Sequence, residues 1–261
     1  MNKLLLAAAA SILLAGTASA ADLAARPYTK APAPMVSVYN WTGFYVGING
    51  GGGSARKCWD LTNNAGVLVN PAIPEGCHNA TGGTVGGQVG YRWQSAAWVF
   101  GVEAQGNWAN FKGSNLNQAP ANLAFGFIDQ SRINSFGLFT GQVGYAVNNV
   151  LFYAKGGAAV VNDKYNNLGG GFFVPAGVAF SEGTETRWGG VAGVGIEFGF
   201  APNWSVAAEY DHLFMGTKSV ALNSLPPLAP ALTGIHNIRQ DVDVGTVRLN
   251  YRFGGPIVAR Y

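Results

Sequence analysis

The sequence predicts an all-β protein: an eight-stranded antiparallel transmembrane β-barrel with short periplasmic turns and four long extracellular loops. Three observations carry this reading. Segment after segment alternates apolar residues with small or polar ones at period two. Charged residues are only 11% of the 261-residue chain, against about 25% in soluble proteins. Short connections alternate with long ones from one end of the chain to the other, as in outer-membrane barrels. Beyond the N-terminus no apolar run reaches the roughly 18 residues of a spanning helix. A net charge of +3 with no basic cluster argues against a nucleic-acid partner.

The chain opens with Met1-Asn2-Lys3, an apolar run from Leu4 to Ala15, and Ala18-Ser19-Ala20, which together read as a cleaved signal peptide over residues 1–20. Residues 21–40, rich in Ala and Pro and without a period, read as a periplasmic tether. The barrel is expected over residues 41–254, followed by an extension, residues 255–261.

The pattern is clearest from Thr140 to Val160. With Asn148-Asn149 as a two-residue tip, Tyr145 faces Phe152, Val143 faces Ala154 and Gly141 faces Gly156, while Gln142 meets Lys155 on the other face. The first strand starts at Trp41 and turns Phe44, Val46 and Ile48 to one side. The second, near 84–93, carries Val85, Val89, Tyr91 and Trp93. A turn at Ser95-Ala96 pairs Trp93 with Trp98 and starts the third, with Phe100, Val102, Ala104 and Trp108. Strands four and five are the Thr140–Val160 hairpin. The sixth, near 187–200, shows Trp188, Val194, Ile196, Phe198 and Phe200. Ala201-Pro202-Asn203 leads into the seventh, with Trp204, Val206, Ala208, Tyr210 and Phe214. Val247, Leu249, Tyr251 and Phe253 mark the eighth. The long connections are then 53–83, 110–131, 162–186 and 215–240.

Charges test the parity that the apolar residues chose. Arg92, Glu103, Arg132, Lys155, Arg187, Glu197, Glu209, Asp211, Arg248 and Arg252 all fall on the inner face. A lipid-facing Lys or Arg at mid-bilayer costs roughly 2–4 kcal/mol, which gives the segregation a cause. Asp241, Asp243 and His212 take the outward parity and belong near the outer rim, with a bulge or solvent accommodating them. A soluble sandwich would need a polar outer face, and here that face would be glycine-rich and charge-poor.

WTGFYVGINGG, the recurring GQVGY, VFGVEAQ, FYAKGGAAV, WSVAAEYDHLF and VRLNYRF resemble the outer-membrane immunogenic proteins of alphaproteobacteria, small opacity-type surface-antigen barrels of the porin family. The resemblance covers about residues 21–253. It implies an eight-stranded barrel in the bacterial outer membrane, and family members end at the last-strand aromatic. Here residues 254–261 follow Phe253, so either Phe253 or Tyr261 serves as the terminal aromatic read by the insertion machinery.

An eight-stranded barrel is just wide enough for side chains to fill it. At similar heights from the short-turn end, Lys155 is expected to pair with Glu197 and Glu209 with Arg248, with Glu103 nearby. Such pairs either plug the lumen or act as a gate. Cys58 and Cys77, the only cysteines of an exported chain, are expected to form a disulfide, a metal or redox pair being the rival. Haem binding occurs among the relatives that the resemblance brings in, which makes His78 and His236 haem-ligand candidates against the plainer reading of solvated loop histidines. No catalytic triad, phosphate loop or metal-ligand spacing is present, so the sequence suggests no enzyme, cofactor or metal. The expected function is structural and surface-presenting: envelope integrity and display of the outer loops, with a narrow porin or a haem- or ligand-binding barrel as alternatives. Expected partners are the lipid bilayer and lipopolysaccharide, the barrel-insertion machinery, and host or envelope proteins through the loops.

Overall fold

The computed structural model describes residues 39–226 and 231–254. The stretch expected to be a signal peptide, most of the stretch expected to be a tether, Pro227, Pro230 and the extension 255–261 lie outside the described residues. Among those described, eight strands close into an antiparallel barrel in chain order: β1 (Gly43–Asn64), β2 (Val67–Ser95), β3 (Trp98–Leu116), β4 (Ile128–Val147), β5 (Val150–Leu168), β6 (Ala179–Ala201), β7 (Trp204–Ser224) and β8 (Leu232–Phe253). A short helix, α1 (Pro120–Ala124), lies between β3 and β4.

The register around the wall sets the barrel's shape. Tyr45 is opposite Gly90, and the row continues through Glu103, Thr140, Gly157, Val191, Leu213 and Val242 to Ala55. The row returns to β1 ten residues above its start, a stagger that tilts the strands by roughly 35–45°. At about 3.4 Å per residue, a 22-residue strand such as β1 then stands roughly 55 Å tall, about twice the ~25 Å apolar band of such barrels.

The lower half follows the sequence reading. Tyr145 is opposite Phe152, Val143 opposite Ala154 and Gln142 opposite Lys155, around an Asn148-Asn149 tip with Asn148 at φ 54°. Exposed Trp93, Trp98, Phe200, Trp204 and Phe253, with half-buried Tyr251, ring the short-turn end, and exposed Trp108, Phe139, Trp188 and Phe214 stand above them. The aliphatic band between these rings is the lipid-facing surface. Two turns differ by one residue from expectation. Trp98 is opposite Ser95, so Trp93 meets Phe100. Ala201 is opposite Trp204, leaving a two-residue Pro202-Asn203 turn.

The long connections differ more. At least half of each is strand that continues upward beyond the band. Between β1 and β2 only Ala65 and Gly66 turn, at φ 48° and 92°, a left-handed pair for which glycine is suited. The cause is a reversal of polarity with height. Low on β5, Phe152 and Ala154 face out while Tyr153 and Lys155 face in. High on β5, Asn162 and Lys164 face out while Val161 is buried inside. Above lipid the outer face meets water, so the apolar parity turns inward as in a soluble barrel.

Bulges gather at this transition, at Trp108/Phe111, Ile133/Ser135 and Phe214/Gly216. The one at Ile133/Ser135 swaps the faces of β4. It corrects one expectation: Arg132 lies on the outer face above the band, while the other nine of the ten charges are buried inside. Asp241 and Asp243 take the outer face at the upper edge of the lipid-facing band, Asp241 opposite Phe214 midway along β8 and well below the rim where they were expected, and Asp243 accepts hydrogen bonds there from Tyr210 Oη (2.5 Å) and His212 Nδ1 (2.7 Å).

Candidate functional site: a layered lumen

Inward residues stack in five levels. At the periplasmic mouth, Tyr39 and Trp41 tuck beneath the barrel with Val99, Leu151 and Tyr153, and the guanidinium of Arg252 lies 5.4 Å from the Tyr39 ring. The stretch read as a tether therefore ends earlier than residue 40. Gly199 makes room for this plug, because a Cβ there would collide with the Tyr39 ring.

The second level is an ion-pair network at membrane depth. Lys155 Nζ bonds Glu209 at 2.7 Å and approaches Asp211 at 3.3 Å and Glu103 at 3.7 Å. Arg248 bridges Glu209 and Glu103. Tyr45 donates to Glu103 (2.6 Å) and Tyr153 to Glu209 (2.7 Å). Glu209 and Arg248 thus pair as the sequence suggested, with Glu103 in the same network. The expected Lys155–Glu197 pair is not formed. The β5–β6 register sets Leu151, not Lys155, opposite Glu197, so the carboxylate lies four residues lower and meets Arg92 at 2.8 Å, with Ser205 and Asn250 also donating to it. Buried this way, each charge keeps a partner, which an unpaired one would lack at a cost of several kcal/mol.

The third level is apolar. Phe111, Ile133, Phe136, Leu138, Val161, Val191, Leu213, Met215, Val242 and Val244 fill the interior from wall to wall. At the fourth, Lys57 Nζ bonds Asp163 (2.5 Å), Arg187 reaches Asp163 (3.3 Å) and donates to Tyr165 Oη (2.9 Å), and Trp59 packs edge-on to Tyr165. Burial pulls the Lys57 ammonium down to about 8, against the pull of Asp163.

The fifth level is a vestibule under α1. Glu75 is fully buried and accepts from His236 Nδ1 (2.6 Å) and Asn117 Nδ2 (2.9 Å). Asp129 accepts from Asn117 (3.1 Å) and Asn167 (2.8 Å). Burial, with the Glu75 charge adding to it, raises the Asp129 carboxyl to about 8. A cavity of about 270 Å³ lies here, lined by Glu75, His236, Asn167, Ile73, Phe127 and Phe180 among others.

The remaining sequence candidates sit near this top. Cys58 and Cys77 form a disulfide joining β1 to β2 above the band, within paired strands rather than a loop. His78 is opposite Lys57, bonds Asn115 through Nδ1 (2.6 Å), and burial lowers its pKa. His236 is opposite Leu61 on the other flank of β1. The two histidines, expected as solvated loop residues or haem ligands, are inward-facing strand residues with different partners. Sequence reasoning missed Lys57, Asp163, Glu75 and Asp129 because all four fall in stretches taken for loops. Asp163 does share the parity of Lys155 along one strand, and that was the available signal.

A family model described as "Outer membrane protein beta-barrel domain" matches residues 6–253. The 31 kDa outer-membrane immunogenic proteins of Brucella melitensis and Brucella suis are each 28% identical over 97% of this chain and all of their own length. A 22 kDa outer membrane protein of Rhizobium leguminosarum is 27% identical, over 74% of this chain and 72% of its own. In fold the chain is similar to the crystal structure of OprG from Pseudomonas aeruginosa, with a TM-score of 0.51 at 12% identity, covering 83% of this chain and 99% of that one.

Proposed function

The chain belongs to the outer membrane protein β-barrel domain family, and on that premise we propose that it is a sealed structural barrel whose extracellular end is its working surface. The observation that carries this is the apolar level at Phe111, Ile133, Leu213 and Val242, stacked between two ion-pair levels. A continuous water path would have to cross a dry, close-packed slab and then break buried ion pairs. The charged side chains of the ion-pair level at membrane depth are spent on one another, which supports a load-sharing role over catalysis. Wall-to-wall filling resists compression of the ring, and the tall rim holds the outer turns clear of the lipid. Relatives named as immunogenic outer-membrane proteins support surface display, and a role in envelope integrity goes with it.

Planar-bilayer recording on refolded protein tests the reading. The native chain should show no steady channel, and Glu209→Gln, which loosens the ion-pair level alone, should remain silent. A reproducible single-channel conductance from the native chain would replace this reading with a narrow pore.

A further inference from the structure

One outward-facing row on the barrel carries charge of a single sign. Lys112 on β3 is directly opposite Arg132 on β4, and Arg132 is directly opposite Lys164 on β5. All three lie on the outer face, since the interleaved residues Phe111, Ile133, Asp163 and Tyr165 are buried inside. Like charges facing one another across a ladder are destabilising. Among the described residues the Lys164 side chain has one partner, Glu182 at 2.7 Å, while neither the Lys112 nor the Arg132 side chain has an ion pair or hydrogen bond. The Nε of Arg132 is buried and unbonded. The opposite wall is different: there Arg56 faces Asp241 across β1 and β8.

Height identifies what would sit against this row. Lys112 is four residues above Trp108, an exposed ring at the top of the lipid-facing band. Four residues rise about 13 Å along the strand and roughly 10 Å along the barrel axis. An ordinary headgroup layer is only about 5–7 Å deep on each side. The steps between Trp108 or Trp188 and the cations hold Asn110, Asn134, Asn162 and Thr186, uncharged hydrogen-bonding groups on the outer face. From the bilayer outward, the wall therefore presents indoles, then amides and a hydroxyl, then cations.

We infer that this face, from Trp108 and Trp188 up to Lys112, Arg132 and Lys164, holds a phosphorylated glycolipid of the outer leaflet: acyl chains against the aromatics, sugar hydroxyls on the amides, phosphate on the cation row. The inference rests on the outer-membrane placement and not on whether the lumen is sealed. An outer-membrane barrel is expected to meet lipopolysaccharide all around its rim; the row assigns that lipid one side of the barrel.

The test uses the full chain refolded in zwitterionic micelles, with lipid retention read by native mass spectrometry and titration. Rough lipopolysaccharide should bind, and the same lipid stripped of phosphate should bind at least tenfold more weakly. The triple variant K112Q/R132Q/K164Q should lose at least tenfold, since a cation near an anionic lipid surface is worth roughly fivefold. The control R56Q/R239Q on the opposite wall, where exposed Arg239 of β8 stands opposite Cys58 of β1, should bind as the native chain does. Retention by the triple variant within about twofold of native overturns the inference. So does equal binding of phosphatidylglycerol, which would make the row a general anion surface. In micelles without lipid, R132Q should unfold no earlier than the native chain, because it relieves repulsion. Earlier unfolding would mean that the row is not strained, and would overturn the inference as well.

Discussion

Arg92 on β2 and Glu197 on β6 stand four strands apart on opposing walls and meet at 2.8 Å inside the lumen. The rings of Tyr45 and Tyr153 lie against the same guanidinium, at 4.5 and 5.5 Å. One pair thus spans the whole bore.

That span makes the pair testable by a cycle of substitutions. Glu197→Gln leaves Arg92 buried without its counter-charge, and losing one partner of a buried pair costs about 3–5 kcal/mol. The urea midpoint in heat-modifiable gel mobility should fall clearly for Glu197→Gln. Combining it with Arg92→Met should recover much of the loss, since no orphaned charge remains. If the double variant is no better than the single, the pair is not a unit.

The vestibule should loosen as pH rises. With its carboxyl raised to about 8, folded Asp129 stays protonated where an unfolded aspartate, near 3.9, has lost its proton. Stability from this group is therefore complete below about pH 4, and is lost progressively as pH climbs to about 8. A tenfold difference in proton affinity is worth about 1.4 kcal/mol, so even that much felt locally speeds opening roughly tenfold. Hydrogen exchange over residues 117–127, corrected for intrinsic rate, should accelerate from pH 5 to pH 8 in the native chain. Asp129→Asn should flatten that profile, and an unchanged profile in the variant would assign the effect elsewhere.

Reduction should act only on the upper half. Closing a loop of 19 residues is worth about 3 kcal/mol in the chain-entropy model. Thiol reagent should label Cys58 and Cys77 only after reduction. Exchange should then quicken around the Ala65-Gly66 hairpin and leave 143–154 unchanged. Labelling without reductant would show that the bridge is absent in the protein.

The periplasmic plug can be displaced from the wall side. Gly199→Ala puts a methyl where the Tyr39 ring lies, while the strand itself accepts alanine. Trp41 fluorescence should shift red and become quenchable by iodide, with barrel mobility on gels retained. A Trp41 signal identical to native would mean that the plug is held independently of Tyr39.

What was legible follows from what is local. At membrane depth, period-two alternation is decided by two solvents, lipid outside and a polar bore inside, so Phe152/Lys155 and Leu249/Arg248 announce their faces within a few residues. The Asn148-Asn149 hairpin and Cys58–Cys77 are legible for the same reason: one is two residues long, and the other has no alternative cysteine. The upper strands were not legible, because that alternation was read with lipid as the outer solvent. Above the band Lys164 faces water and Val161 faces the core, so the same parity carries the opposite polarity.

The sequence by itself determined that this is a membrane barrel, its strand count, and which charges at membrane depth face inward, because burying charge in lipid is costly at every register. Only the tertiary structure decided who meets whom. Glu197 meets Arg92 and not Lys155 because the ring closes with a ten-residue stagger, and Arg132 faces out because one extra residue at Ile133/Ser135 swaps the faces of β4. Stagger and bulge belong to the closed ring as a whole, and no single strand carries a record of either.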